Sequence, residues 1–468
     1  MPRRIPDDFP TCPIRPAKAM AYPDDAYETL ELDIQVVTPM FGGGTEAGVP
    51  DPVTLIRPSS IRGHLRFWWR ATRGATFTTA RDLKQRETEI FGDTEHPSVI
   101  TVRVDPSPTS QSQRCAAYEW NQQARQGQGG YSLRWAQPLV GAALPYALFP
   151  FQGKPPNRPV RGMEPEQLPS VMTMPFRFRL IATVPCEYIT DVRAALWAWI
   201  NFGGIGARTR RGCGTLQCRD FSPAGTKTQD IHQWLTHWMR NFVSSARSAT
   251  NELWPIAFRK LLVGTQASPS FVAWDRAVAV LRDFRQGTGI GRNSGQQSNR
   301  PGRSRWPEPE TVRKVTGRRL NAHQRMEVIP ENGFPRAEFG LPIVFHFKDD
   351  RSGDPQDTEL YPVVDGEKRG RMASPLIAKA LAASDGTAVP IIAALGVPAL
   401  EGVALIADRQ QLKFSEDPLI RDPSFATYPN SPMSRGGQLP PRSSSGSALE
   451  ALLAFAQEQP HSLKEVQP

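Results

Sequence analysis

The sequence predicts an α+β fold in two domains, and three observations carry that reading. Residues 30–37 and 176–184 alternate apolar with polar side chains, and each run is followed by a segment of helical period. At 468 residues the chain exceeds one ordinary domain, and a second set of helical and apolar runs follows residue 223. The 45 prolines call for long irregular connections between elements.

The first strand places Leu30, Leu32, Ile34 and Val36 on one face, against Glu31, Asp33 and Gln35 on the other. A turn at Gly42-Gly43-Gly44 leads to a helix capped by Ser59 or Ser60 and ending near Thr72. Ile61, Leu65, Trp68 and Thr72 share its inner face, while Arg62, Arg66, Arg70 and Arg73 form a stripe beside it. A shorter helix over about 80–90 and a strand over 99–104 complete the first β-α-β. Residues 105–170 lose periodicity and are rich in Gln, Gly and Pro, which marks an insertion. The pattern then resumes with Phe176, Phe178 and Leu180 inward, and a helix capped by Thr190 or Asp191 that buries Val192, Leu196 and Trp199. After it come the loop 203–214 and a strand near 215–221. Two β-α-β crossovers on one antiparallel sheet give a ferredoxin-like domain, the topology that RNA-recognition (RRM) domains also use.

The second half reads as helix over 231–260 and 271–285, strand over 341–347 and a short helix over 372–381. Between them, 286–319 carries Arg292, Arg300, Arg303, Arg305, Arg313, Lys314, Arg318 and Arg319 against Glu308 and Glu310 alone. That stretch is a basic linker or a segment that orders on RNA, with Trp306 as a stacking candidate. The expected limits are 1–222 for the first domain, 223–415 for the second, and 416–468 for a disordered low-complexity tail with a short helix at 448–457.

A net charge of +10 favours an anionic partner, nucleic acid first and a membrane surface second. Five cysteines at irregular spacing argue against a secreted disulfide framework and for a reducing cytoplasm. The first sixteen residues lack the apolar core of a signal peptide. The apolar run 389–407 is broken by Pro390, Gly396, Pro398 and Glu401, so it reads as buried strand or loop and no membrane is expected.

The segment Gly203-Gly204-Ile205-Gly206-Ala207-Arg208-Thr209-Arg210-Arg211-Gly212-Cys213-Gly214 combines backbone freedom with guanidinium groups suited to phosphate. It closes a helix instead of opening one and lacks the G-x-x-x-x-G-K-[ST] spacing, so it is not a Walker nucleotide site. Cys213, Cys218, His232 and His237 satisfy a loose zinc template, but two cysteines five apart on a strand point to opposite faces, so no metal is expected. His64, the one histidine close to a basic cluster, is the best acid-base candidate, and on the helical wheel it falls on the shoulder of the buried face, opposite the arginine stripe. No convincing catalytic set and no cofactor motif emerge.

The run Arg57-Pro58-Ser59-Ser60-Ile61-Arg62-Gly63-His64-Leu65-Arg66-Phe67-Trp68-Trp69-Arg70-Ala71 resembles the signature of the first RAMP subunit of the Cmr (type III-B) CRISPR effector complex. Phe41-Gly42-Gly43-Gly44, Glu89-Ile90-Phe91-Gly92 and the 203–214 loop are similar to that family as well. So are Gly302-Arg303-Ser304-Arg305-Trp306-Pro307-Glu308 and Arg371-Met372-Ala373-Ser374-Pro375-Leu376, and the matches span about 30–380. The resemblance implies two ferredoxin-like (RRM-like, RAMP) domains and a non-catalytic subunit toward the 3′ end of the guide RNA. Its partners would be guide RNA, target RNA and other Cmr RAMP subunits, with cleavage assigned to a different, repeated subunit. Arg57, Arg62, Arg66, Arg70, Arg208, Arg210, Arg211, Arg303 and Arg305 are then expected at RNA phosphates. Gly203, Gly204 and Gly206 would permit close approach, and Trp306 would stack on a base. The alternative within the same fold is a metal-independent endoribonuclease that uses His64. Neither the 105–170 insertion nor the tail finds a counterpart in this resemblance.

Overall fold

The computed structural model describes residues 26–46, 48–105, 110–124, 127–243, 254–295, 302–320, 329–347, 353–436 and 439–467. The amino-terminal sixteen residues read for a signal peptide, Arg300, and part of the expected 231–260 helix lie outside them.

In the first unit, β1 (Tyr27–Val36) is followed by α1 (Pro58–Thr72), α2 (Ala80–Phe91) and β2 (Thr101–Val104). Then come β3 (Phe176–Pro185), α3 (Ile189–Phe202) and β4 (Leu216–Cys218), and α4 (Thr228–Phe242) closes the unit. The sheet runs β2-β3-β1-β4 with every neighbour antiparallel, Leu32 facing Leu180 and Ile34 facing Cys218. The expected strands and helices fall where periodicity placed them, but both principal helices start earlier than their expected caps. Pro58 is the first residue of α1 and Arg57 its cap, because proline has its φ preset and no N–H to satisfy. A single 3₁₀ turn, Cys186–Tyr188, feeds α3, so Thr190 and Asp191 lie inside its first turn, not at its cap.

The second unit repeats the pattern: β5 (Ile256–Val263), α5 (Ser270–Gln286), then α6 (Glu308–Thr316), β6 (Leu376–Ala382), β7 (Ala388–Gly396), α7 (Ala448–Gln457) and β8 (Lys464–Glu465). Its sheet runs β6-β7-β5-β8, the same permutation of first to fourth strands as in the first sheet. Two expectations fail here. Residues 256–260, the end of the expected 231–260 helix, lie in β5, and 376–381, from the expected short helix 372–381, lie in β6. Every residue of β6 and β7 is buried, so polar alternation is absent and an alanine-rich strand imitates a helix.

The expected disordered tail is also corrected. Phe425, Tyr428, Met433 and most of α7 are buried, and β8 pairs with β5, so the segment beyond 415 supplies the last helix and last strand of the second sheet. Its many serines act as hydrogen-bonding groups. Ser447 caps α7 and donates to the buried Glu338, while Arg442 pairs with Glu458 at 2.7 Å. The described residues of the 105–170 insertion are folded as well, with a hairpin (Ala116–Asn121 with Gly130–Trp135) and a short helix, Leu144–Leu148. Asp275 on α5 accepts the backbone N–H groups of Ala143 and Leu144, tying the insertion to the second unit.

The second sheet is covered on both sides. Leu376, Ala378, Ile392 and Ala394 pack on α5 and α7, whereas Ile377, Leu381, Ile391 and Ala393 join the core of the first unit with α1 and α3. That double cover explains why α3 is buried almost all round, from Ala194 to Phe202. A further small antiparallel sheet (Ile343–Phe345, Thr358–Val364, Gly402–Ala407, Gln410–Leu412) flanks the second unit.

Candidate nucleic-acid interface

The 203–214 loop leaves α3 and turns back into the edge strand β4, so it lies where the two units meet. Its glycines are required by the protein's own packing. A Cβ on Gly203 would stand 2.5 Å from the Trp199 carbonyl oxygen, and one on Gly206, at φ +81°, 2.6 Å from the Phe41 carbonyl oxygen. A side chain at Gly212 would meet the Trp274 indole at 2.3 Å. The expectation that Gly203, Gly204 and Gly206 open the backbone to RNA is therefore corrected: Gly203 and Gly204 are buried and all three are filled by their own chain.

Lys379 of β6 enters the junction from the second sheet. It is fully buried, and its ammonium donates to the Gly203 carbonyl at 2.6 Å. Burial without a carboxylate partner pushes its pKa down to about 7.

The arginines of the loop divide into two kinds. Arg210 donates to the Ser374 carbonyl and lies 5.4 Å from the Phe67 ring centroid. Arg211 donates to the Leu376 carbonyl at 2.7 Å and to the Ser374 hydroxyl at 3.0 Å. Both therefore clamp the loop to the second unit, a role the sequence did not disclose. Burial pushes the Arg211 pKa down to about 10, and Tyr146, Arg285, Arg208 and Arg210 are near enough to act on it. Arg208, at φ +57°, has an exposed side chain with no hydrogen bond or ion pair among the described residues. Partial desolvation of its guanidinium, and then the charge of Arg371, hold its pKa below the usual arginine value. Arg371 is exposed and likewise has no carboxylate partner among the described residues. The junction thus holds a group of cations whose partners are carbonyls and a hydroxyl, which leaves its charge unneutralised.

Along α1 the stripe is partly occupied. Buried Glu87 of α2 accepts from Arg66 and from Arg70, each at 2.8 Å, and Asp191 lies 3.5 Å from Arg73. The missing i+4 acid is supplied by a neighbouring helix, so Arg66 and Arg70 are held as structural ion pairs. Arg57 pairs with Asp51 at 2.5 Å. Arg62 alone of the stripe is exposed and free of a carboxylate among the described residues. It borders an open recess of about 870 Å³ that Ser59, Asp93 and His96 also line.

The second-half motif serves the fold. Trp306 is buried, edge-on to Phe284 at 5.4 Å, and donates to the Arg285 carbonyl, so it is not available to stack on a base. Arg303 pairs with Glu310 at 2.9 Å, and Arg305 bonds the Gly289 carbonyl and Asn293. His64 is partly buried with its ring 6.2 Å from that of Trp199 and nearly parallel to it. Cys213 and Cys218 lie in different buried clusters, the second with the β1–β3 core, and no group of three metal-binding side chains occurs among the described residues.

Fold and basic junction together define a class. Residues 33–217 match the family model of the RAMP superfamily. Within that class the chain is similar to the CRISPR system Cmr subunit Cmr1-2 of Pyrococcus furiosus, 27% identical over 193 residues that make up 41% of this chain and 95% of that one. It is similar to Cmr1-1 of the same organism, 27% identical over 164 residues, 35% of this chain and 40% of that subunit. The recognition made from the motifs, a RAMP subunit of the Cmr (type III-B) CRISPR system, stands on these findings. Among solved structures, that of Cmr1 from Pyrococcus furiosus in its apo form aligns at 16% identity and TM-score 0.41, covering 80% of this chain and 89% of that one. A chain of the type III-B Cmr-beta complex bound to cognate target RNA aligns at 12% identity and TM-score 0.42, covering 79% and 95%. No described helix is long and apolar enough to cross a membrane.

Proposed function

We propose that this chain is a non-catalytic RNA-binding subunit of a type III-B CRISPR ribonucleoprotein in the cytoplasm. It holds guide RNA, target RNA or both near the guide 3′ end, beside other Cmr RAMP subunits. Both units are ferredoxin-like domains, since each sheet has β-α-β-β-α-β order and the same strand permutation. The first domain runs through α4, whose Ile231, Leu235, Met239 and Phe242 join its core, and the second runs from β5 through the former tail.

One observation carries the reading: Arg208 and Arg371 stand exposed beside Arg210 and Arg211, and no ion pair joins any of the four to a carboxylate among the described residues. A polyanion would relieve that repulsion, and backbone phosphates match guanidinium geometry. Arg62 adds a further exposed cation, near the start of α1. No observation favours cleavage by His64, which has no hydrogen bond or ion pair among the described residues and whose ring stands nearly parallel to that of Trp199 at 6.2 Å.

The test is co-purification of the native complex with sequencing of the bound RNA, together with incubation of the purified chain with repeat RNA in EDTA. Bound guide sequences and intact repeat RNA support the proposal. Discrete EDTA-resistant cleavage that disappears in His64→Ala refutes it.

A further inference from the structure

His64 lines a recess of about 320 Å³ between the start of α1 and the two glycine loops, together with Leu55, Ile56, Ser60, Ile205 and Gly206. That volume lies at the lower end of small-ligand sites, roughly 300–1,000 Å³. The walls are mostly apolar, and polar groups come from His64, Ser60 and Arg57. The Trp199 ring lies nearly parallel to that of His64, with centroids 6.2 Å apart. Burial lowers the His64 pKa below the ordinary imidazole value, which keeps the ring neutral at neutral pH. A neutral imidazole offers one donor and one acceptor, and neither has a partner among the described residues. Gly43, at φ +102°, leaves open space beside the recess, its nearest neighbour to a built Cβ being 4.0 Å away. Ala207 ends the wall, and the free guanidinium of Arg208 follows directly after it.

We infer that this recess is a nucleobase pocket. One unstacked base of an RNA strand enters between Ile205 and Leu55 and is read by the neutral imidazole of His64 with the Ser60 hydroxyl. The phosphate of that nucleotide stays outside with Arg208. The inference rests on the RNA-binding reading and adds the component that meets a base. Single-stranded RNA is recognised in this way, through splayed bases that combine apolar or stacking contact with hydrogen bonds to their edges. His64 thereby acquires a role that requires no chemistry from it.

The test uses the full chain and a short single-stranded oligoribonucleotide in which each position in turn is abasic, with free nucleoside monophosphates as a second arm. Two variants accompany it. His64→Phe keeps a ring against Trp199 and removes both nitrogens; Ser60→Trp closes the mouth from an exposed position. In the wild type, one abasic position should weaken binding about tenfold. In either variant that position should make no difference, while binding through the arginines persists. If the strand does not bind but a nucleoside monophosphate does, and His64→Phe abolishes this, the pocket is a base site for free nucleotides and the RNA reading falls alone. RNA binding with no sensitive position in the wild type, and no monophosphate binding, overturns the pocket and leaves the RNA reading intact. Absence of binding in both arms overturns both.

Discussion

Lys379→Met should remove a pH dependence of stability that comes from one side chain. Lys379 is fully buried, has one hydrogen bond, to the Gly203 carbonyl, and its pKa falls from 10.5 to about 7. The folded state therefore binds fewer protons than the unfolded chain between those values, so stability rises with pH across that window. Below about pH 7 the penalty of burying the ammonium is fully present; above about pH 10.5 it is gone. At pH 7 the deficit is about 4 kcal/mol, and between pH 7 and 8.5 about 1.5 kcal/mol of it is recovered. The buried thiols Cys115, Cys213 and Cys218, with pKa values pushed up to about 11, 12 and 11, work in the opposite direction, but only as pH nears the ordinary thiol value of 9.0. Urea unfolding at pH 7.0, 7.75 and 8.5 would measure the effect. The wild type should gain about 1.5 kcal/mol more than Lys379→Met over that range. In the variant the Gly203 carbonyl loses its donor, a cost of about 1–3 kcal/mol that does not change with pH. Equal pH slopes for the two proteins would refute the assignment of a buried, mostly neutral lysine at the junction.

Two further outcomes follow from side chains that the structure reassigns. Trp306→Ala should destabilise the second unit by about 3–5 kcal/mol, as loss of a buried aromatic does, with RNA affinity per folded molecule unchanged; a loss of affinity at unchanged stability would restore the stacking role. Glu87→Gln should cost about 1–3 kcal/mol, because it replaces the two charged oxygens shared by Arg66 and Arg70 with one neutral acceptor and an NH2 donor, and should not weaken RNA binding. A variant as stable as the wild type would show that these arginines are held elsewhere.

Much of the first domain was legible because one face of its sheet is solvated. Glu31, Asp33, Arg177 and Arg179 mark the outward positions of β1 and β3, so a period of two survives in the sequence. The second sheet has no such face. Lys379 is the one polar residue in Leu376–Ala382, and its strand is buried against helices of both units, which erased the alternation. The tail misled through composition alone: serine and proline dominate 430–447, yet Ser443 and Ser447 are buried and bonded to Glu450 and Glu338. At the interface the arginines were found and their partners were not. Glu87 lies 21 residues from Arg66 in sequence and Ser374 lies 163 from Arg211, and no spacing rule reaches that far. Arg371 was visible only as part of a family motif. Its approach to Arg208 depends on how the two units pack.

The central claim is that the free guanidiniums of Arg62 and Arg208 grip RNA phosphates. It is tested most directly by the salt dependence of single-stranded RNA binding in Arg62→Ala/Arg208→Ala, which leaves the Arg210 and Arg211 clamp to the second unit intact. Loss of two phosphate contacts should lower the slope of log K against log salt by about 1.4 and weaken binding across all sequences alike. An unchanged slope and affinity in a folded double variant would contradict the account.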